Sequence, residues 1–569
     1  MVPSPNKLSQ FWQELKRRRV IHVIIVYATA AVVIIGLVSD VYESLNLPDW
    51  TPALTLIILV IGFPLAIIFS WIYNVSRNGL VKTEAIGSIE QKSEARSTSV
   101  KTTSQEKSII VLPFDNISPD PDQEYFSDGL TEEIITDLSY INDLLVISRS
   151  SSMIFKGTKK SIKEIAEEVN VRYVLEGSVR KAGNNLRIVA QLIDASSDSH
   201  LWAEKYSGTL DDIFNIQEKV SSSIADALKI KLTSVEKQKM YEIQIDNTEV
   251  YDLYIKAQQA FHTLTEVGFK QGLHYINQGL KIFGDNDKLY SLQGMVYLGY
   301  IEIGFDKDES IFKKVEECTE KVFSLNPDSA DGHYLRGHVQ RWHGDVIGGI
   351  KNYNKALSIE PNHYWANFWR SFNYAISGHG EVASDSISKI LNSDPLNPYS
   401  HFIAGAVEVL QGNFDQALDF MRKAFEMDPN PFLGWWLSKI LAYGDRIDEA
   451  YKLIEQFSDM ADEVHWAKLG VIFKYALEDK EEKVLELYTE ELKNILRGDE
   501  FYGVWVAESY ALINHKEEAL EWLEECINNQ LLNYPFLTKH DRFLKSLYNE
   551  EGFKKLMKRI NKDWENFKV

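Results

Sequence analysis

The chain has 569 residues, 45% of them hydrophobic and 25% charged. That balance excludes disorder throughout and leaves room for three or four units of roughly 150 residues each. With 61 Lys+Arg against 82 Asp+Glu, a net charge of −21, no nucleic acid is expected as a partner, because binding it needs a basic face that displaces counterions. Two cysteines, Cys318 and Cys526, support neither a disulfide framework nor a paired-cysteine metal knuckle, and point to a reducing compartment.

Charge is spread unevenly. Residues 1–107 hold 11 Lys+Arg and 8 Asp+Glu, and the remainder 50 and 74. The same N-terminal part holds two long uncharged runs, Val20–Ser39 (His22 aside) and Trp50–Ser76. Each is long enough to cross a bilayer, which takes about 20 helical residues. The reading is two transmembrane helices, about 20–40 and 53–75, within a hairpin 20–76. A cleaved signal sequence competes for the first run, but no small-x-small site follows it and a second run comes close behind. Lys16, Arg17, Arg18 and Arg19 precede the first run, Arg77 and Lys82 follow the second, and the loop Asp40–Asp49 has no Lys or Arg. The positive-inside rule then places both termini in the cytoplasm. Residues 1–19 are expected to be a cytoplasmic segment, with Leu8–Leu15 amphipathic along the inner surface. The polar stretch 77–107 reads as a flexible linker.

An α/β unit is expected over 108–235. SIIVLPF at 108–114 reads as a buried strand and Ser127–Ile141 has helical spacing. LLVISRS at 144–150 reads as a second strand. Ser161 and Glu164 form a capping-box pattern ahead of a helix to Val171. Gly183-Asn184-Asn185 separates two alternating runs, the mark of a hairpin. HLWAEKYSGTL adds a strand, and Ile213–Leu232 closes the unit as a helix. The pattern predicts a mixed sheet with helices packed on it. The acidic loop Asp115, Asp120, Asp122, Glu124 and Asp128 fits no calcium-loop spacing. Lys156-Gly157 reads as a turn. GxSxG and the Gly-rich phosphate loops are absent.

Two stretches, IIVLPFDNISPDPDQEYFSDGL and VRYVLEGSVRKAGNNLRIVAQLIDASSDSHLWAEKYSGTL, resemble the TolB-amino-terminal-like or FlgO-like module of bacterial membrane signalling proteins. FWQELKRRRV, LNLPDW and GFPLAIIFSWIY resemble the two-span anchor of the same proteins. Some of those relatives are adenylate cyclases or CadC-like regulators. The resemblance implies an inner-membrane, multi-pass protein whose module sits before tetratricopeptide repeats. The cyclase domain and the winged helix of such relatives have no counterpart here.

The C-terminal part, 245–569, has a period. Pro327, Pro361, Pro395 and Pro429 are 34 residues apart, as are Gly344, Gly378 and Gly412. Thirty-four residues is the tetratricopeptide repeat, a pair of antiparallel helices that stacks into a superhelix. Clear repeats fall at 330–363, 364–397 and 398–431. Degenerate ones are expected at 248–285, 286–329, 432–465, 466–499 and 500–533. DRFLKSLYNEEGFKKLMKRI resembles a closing segment. The first helix of each pair lines the concave face. Candidate groove residues are therefore Tyr334, His338, Arg341 and Trp342, then Trp365, Phe368 and Phe372, then Tyr399 and Phe402, with Asp331 beside them. Tyr334, Phe368 and Phe402 recur at 34 residues and suggest an aromatic row. Packing on the next helix is the alternative use of the same rings.

The fold class expected is multidomain: a transmembrane hairpin, a small α/β domain with a mixed sheet, and an all-α repeat superhelix. The function expected is that of a membrane-tethered scaffold holding a protein or peptide partner. A regulator of, or enzyme in, nucleotide-cyclase-type signalling and a small-molecule sensor are the alternatives. No catalytic residue, cofactor or metal site is expected. The 13 histidines are scattered without an HExxH, and a homo-oligomer is compatible with this architecture.

Overall fold

The computed structural model describes residues 106–569 except 241–244, 246, 304–307 and 498–501. Before residue 106 it describes only Thr55, Leu59, 73–76 and 79–82. The chain divides into two compact units, Met1–Lys101 and Thr102–Val569.

In the first unit β1 (Tyr73–Ser76) pairs antiparallel with β2 (Gly79–Lys82). Polar Asn74 and Ser76 alternate with Tyr73 and Val75, and that period of two favours a strand. The end of the predicted second span, 73–75, is therefore strand, and 79–82 of the predicted linker is its partner. Thr55 and Leu59 are helical. The remaining expectations for 1–107, the two spans among them, lie outside the described residues. Among the described residues no helix is long and apolar enough to cross a membrane.

The second unit begins with the α/β module. Its sheet runs β5 (Leu145–Val146), β3 (Ser108–Val111), β6 (Tyr173–Ala182), β7 (Asn185–Asp194) and β8 (Ser199–Thr209), with β4 (Asp115–Asn116) also on β6. The first three strands are parallel and the last three antiparallel, so the sheet is mixed, as expected. The β6–β7 turn is tight: Ala182 pairs Asn185, and Gly183 supplies φ +59°. Helix α1 (Glu124–Ser139) carries Leu130, Ile134 and Leu138 into the core. The predicted strand 144–150 stops at Val146, because α2 (Arg149–Met153) starts there with Ser148 as its N-cap. Helix α3 (Ile162–Val169) has the expected Ser161–Glu164 capping box, and α4 (Ile213–Ala227) comes after it.

Short α5 (Ser234–Met240) ties the module to the repeats. Glu236 accepts from the Asn142 N–H at 3.0 Å, and Lys239 Nζ donates to the Ile359 carbonyl at 2.9 Å.

Among the described residues eight helix pairs then appear in the predicted phase. They are α6 (Thr248–Phe261) with α7 (Glu266–Phe283), α8 (Asp287–Ile303) with α9 (Glu309–Leu325), and α10 (Ala330–Trp342) with α11 (Val346–Ile359). Next come α12 (Tyr364–Ile376) with α13 (Ser384–Ser393), α14 (Pro398–Leu410) with α15 (Phe414–Met427), and α16 (Pro431–Tyr443) with α17 (Ile447–Glu455). Last are α18 (His465–Leu477) with the broken second helix α19 (Glu481–Leu487) and α20 (Glu490–Leu496), and α21 (Tyr502–Leu512) with α22 (Lys516–Asn528). Helix α23 (Glu551–Glu565) closes the chain.

In the later pairs the turn between the two helices carries a left-handed residue. Gly344, Gly378 and Gly412 supply it at φ +76°, +75° and +81°. Asp445, Asp479 and Asn514 take the same place at +62°, +55° and +62°. The glycine period ends at Gly412 while the structural period goes on.

The module and the first repeats share one core, in which Leu130, Ile134 and Ile188 are continuous with Ile255, Phe269 and Leu335. Gly129 lets α1 lie against α6, since a Cβ there would meet Ile255 Cγ2 at 2.3 Å. A second core runs from Val346 to Ile560 and includes the C-terminal tail.

Candidate functional site

Tyr334, His338, Phe368, Phe372 and Phe402 are buried, at 4%, 0%, 5%, 8% and 6% exposure. Arg341, Trp342 and Tyr399 are half-buried, and only Trp365, at 41%, is exposed. Phe368 and Phe402 do stack, with centroids 6.3 Å apart. Tyr334 instead packs on His338 at 4.9 Å and His363 at 5.1 Å. Arg341 lies over Trp369 at 4.3 Å. Five of the nine predicted groove residues are thus interior packing rather than open surface.

The reason is the tightness of the coil. In the later repeats, first helices two repeats apart touch: Trp505 of α21 lies 3.8 Å from Trp435 and 4.5 Å from Trp436 of α16. Lys439 and Glu508 pair across the same contact, both buried, with Tyr443 donating to Glu508 Oε1 at 2.5 Å. The tail closes the far side. Asn533 Nδ2 donates to the carbonyls of Ala375 at 2.8 Å and Leu410 at 2.9 Å, so it caps two of these helices at once.

What stays accessible is a stair of rings on the first turns of five successive inner helices: Trp365, Tyr399, Phe432, Trp466 and Tyr502. Phe432 to Trp466 is 5.1 Å and Trp466 to Tyr502 is 4.8 Å. Phe402 joins the upper steps, 6.3 Å from Tyr399 and 5.0 Å from Phe432.

A second feature was missed in the sequence. Where α1 faces the first helices of the early repeats, charged and phenolic groups of the two parts interact. Glu133, Asp137 and Tyr140 come from the module, and Tyr254, Lys288 and Glu360 from the repeats. Each of them is half-buried.

Glu132 beside Glu133 is matched: Arg149 Nε and His262 Nε2 each lie 2.9 Å from it and hold its carboxyl below the usual range against the effect of burial. Asp331 is matched too. Burial pushes it up, but the His363 Nε2 contact at 3.3 Å and the Lys288 charge outweigh that and lower it. Glu133, Asp137 and Glu360 have no such partner. Burial raises all three, Glu133 to about 7 and Asp137 well above the usual range. Burial opposes the Lys288 charge, but Tyr140, Asp331, Tyr254 and Glu133 around it more than compensate and raise its pKa. No sequence spacing could reveal this group, because its members span residues 133–360 on separate helices. Only the paired acids Glu132-Glu133 gave a local cue.

Module and repeats also lock together at Asp394, 1% exposed, in the turn before α14. Its carboxylate accepts from Ser148 Oγ, from Ser150 Oγ at 2.5 Å, from Ser151 Oγ at 2.6 Å and from the Ser151 N–H at 3.2 Å. Asn397 Nδ2 adds a bond at 2.7 Å.

The acidic loop of the module has structural employment. Asp120 caps a 3-10 turn, accepting from the Asp122 N–H at 3.0 Å. Lys156 joins Glu124 at 2.8 Å and Asp128 at 2.7 Å, which ties the acidic loop to the Lys156-Gly157 turn. Among the described residues no group of three or more His, Cys, Asp and Glu is placed to hold a metal. Cys318 and Cys526 are buried and form no disulfide.

A family profile described as HilA/YgeH-like transcriptional regulator, second domain, matches residues 104–223. A tetratricopeptide repeat profile matches 400–431. The repeat half is thus of the tetratricopeptide type. "Putative adenylate cyclase 3" of Rhizobium meliloti (strain 1021) is 47% identical over 172 residues. The match takes 30% of this chain and spans 29% of that protein's length. A TPR repeat-containing protein of Methanocaldococcus jannaschii is 24% identical over 132 residues, 23% of this chain and 39% of that protein. Among solved structures, the type IV pilus biogenesis factor PilW is 20% identical and covers 38% of this chain and 97% of its own, with a TM-score of 0.30. YrrB, titled a TPR protein with an unusual peptide-binding site, is 16% identical and covers 35% and 95%, with a TM-score of 0.24.

Proposed function

We propose that this chain is a membrane-tethered interaction protein of bacterial signalling or assembly. Segment 20–72 anchors it in the inner membrane with both termini in the cytoplasm, and the fused module and repeats take a protein partner. The observation that carries the reading is the aromatic stair from Trp365 to Tyr502, half-exposed on a repeat scaffold. Aromatic rings are the side chains that most often anchor protein interfaces. The partner presents apolar side chains to the stair and basic ones to the strongly acidic chain around it. Tethering raises the effective concentration for a partner on the same membrane.

A second reading has its own support. The α/β module resembles part of a transcriptional regulator, and a relative named a putative adenylate cyclase shares 47% identity over 172 residues. A regulator-like module suits a signal-receiving role, so the protein regulates a cyclase-type or transcriptional output. The TolB-amino-terminal-like resemblance of the same stretch fits that role.

Affinity capture from solubilised membranes, with wild type and Trp365→Ala in parallel, tests the first reading. A partner held by the wild type and lost with the variant supports it. Equal recovery with both sinks the stair as the docking surface. A reporter fused after Val569 that proves periplasmic would rule out a cytoplasmic partner.

A further inference from the structure

A recess of about 840 Å³ lies where the module meets the first repeat, between the β6–β7 turn and helices α6 and α7. Lys181 of β6, Lys256 of α6 and Lys281 of α7 all line it. In a chain of net charge −21, three ammonium groups around one cavity run against the average. Two of them are held in place. Asp252, also on the wall, takes Lys181 Nζ at 3.0 Å on Oδ1 and Lys256 Nζ at 2.7 Å on Oδ2. The Tyr125 hydroxyl donates to the same carboxylate at 2.7 Å. Lys181 lies over the Phe126 ring at 4.6 Å and Lys256 over the Tyr125 ring at 5.1 Å.

One carboxylate shared by two ammonium groups leaves a positive charge uncompensated. It also leaves N–H donors unspent, since each ammonium carries three. Lys281 is exposed and makes no ion pair within 4.0 Å among the described residues. The other acid on the wall, Glu249, is exposed, so three ammonium groups face two carboxylates and the lining is net positive. The rest of the lining narrows the class of anion. Leu210, Leu253 and Ile282 offer apolar surface, and Asn184, Thr248 and Gln278 offer hydrogen bonds. That mixture suits a ligand with an anionic end and a partly polar body. The volume is in the range of small-molecule pockets, roughly 300–1,000 Å³. Lysine binds phosphate as a point charge. Ammonium groups from three separate elements suit a tetrahedral group, with oxygens on several sides, better than a planar carboxylate.

We propose that this recess binds a small organic phosphate, its phosphate seated at Lys181, Lys256 and Lys281 and its body against Leu210, Leu253 and Ile282. The β6–β7 turn belongs to the module and α6 and α7 to the first repeat, so the ligand bridges the two parts. No residue of the stair takes part, and the proposal stands apart from the partner held there.

Titration calorimetry of the full solubilised chain at about pH 7.5 and about 150 mM salt tests it, with AMP, ribose 5-phosphate, citrate and adenosine as probes. Saturable one-site binding of AMP, ribose 5-phosphate or both is expected, with citrate and adenosine at least tenfold weaker. Two variants of equal charge change then separate the recess from the general field of the protein. Lys281→Glu alters the recess, and Lys555→Glu alters the exposed face of α23. Both lysines are exposed, so both variants should melt with the wild type. Lys281→Glu should weaken phosphate binding at least tenfold and Lys555→Glu should leave it unchanged. Lys256→Gln, which leaves Asp252 its bond from Lys181, should weaken binding at least threefold. Neither phosphate binding saturably, equal weakening by Lys281→Glu and Lys555→Glu, or citrate or adenosine binding as tightly as the phosphates would overturn the proposal.

Discussion

Replacing Asp394 by Ala should loosen the module from the repeats without unfolding either. The buried carboxylate receives five hydrogen bonds, four of them from Ser148, Ser150 and Ser151 of the module. A hydrogen bond to a charged group contributes about 1.5–3 kcal/mol net. The bonds share one acceptor and are not additive, so the local loss is about 3–4 kcal/mol rather than their sum. Because α2 begins at this carboxylate, segment 144–155 should open first. Its amides should exchange with solvent about a hundredfold faster, as each 1.4 kcal/mol is a factor of ten. Hydrogen exchange read by mass spectrometry measures this directly. Asp394→Asn keeps one acceptor oxygen and should fall between the two. Exchange of 144–155 within threefold of wild type in Asp394→Ala would refute the argument. The lock would then be a contact without energetic weight.

Other consequences can be checked in the same way. Glu133 has a carboxyl raised from 4.5 to about 7 in the fold. Below pH 4.5 it is protonated in both folded and unfolded chains and costs nothing. Its penalty grows as pH rises through that window, toward about 3 kcal/mol above pH 7. Glu133→Gln should therefore raise the melting temperature at pH 8 and leave it unchanged at pH 4.5; an equal shift at both would contradict the assignment. Lys439→Met removes the cation between buried Glu508 and Asp541 and should destabilise by about 3–5 kcal/mol. Adding Glu508→Gln should recover part of that in a thermal melt. Asp479→Gly puts glycine at φ +55° and should stabilise by about 0.5–1 kcal/mol, whereas Asp479→Ala should not.

The repeats were legible because two features recur at 34 residues in the middle of the array: Pro327, Pro361, Pro395 and Pro429, and the left-handed Gly344, Gly378 and Gly412. The signal faded beyond them because Glu463, Arg497 and Leu531 stand at the proline phase and Asp445, Asp479 and Asn514 take the left-handed place without glycine. The α/β module was legible from its alternations and its capping box. Its one misread element, 144–150, is decided by Asp394, which lies 246 residues from Ser148. Local propensity carries no information about such a partner. Five of the predicted groove residues are interior for a related reason. Burial of Phe368, Phe372 and Phe402 depends on how tightly the coil closes, which the Trp435–Trp505 contact and the tail determine. The interaction of Glu133 and Asp137 with Lys288 is a product of topology, since the module supplies the acids and the repeats the ammonium.

The central claim is that the aromatic stair holds a partner in the cell. A photo-crosslinking phenylalanine analogue placed at Trp365, with a matched control at exposed Glu482, tests it most directly. The account predicts a discrete crosslinked protein from position 365 and none from 482, with the adduct lost when Trp466 is replaced by Ala. No adduct at 365, or the same adducts from both positions, would contradict it.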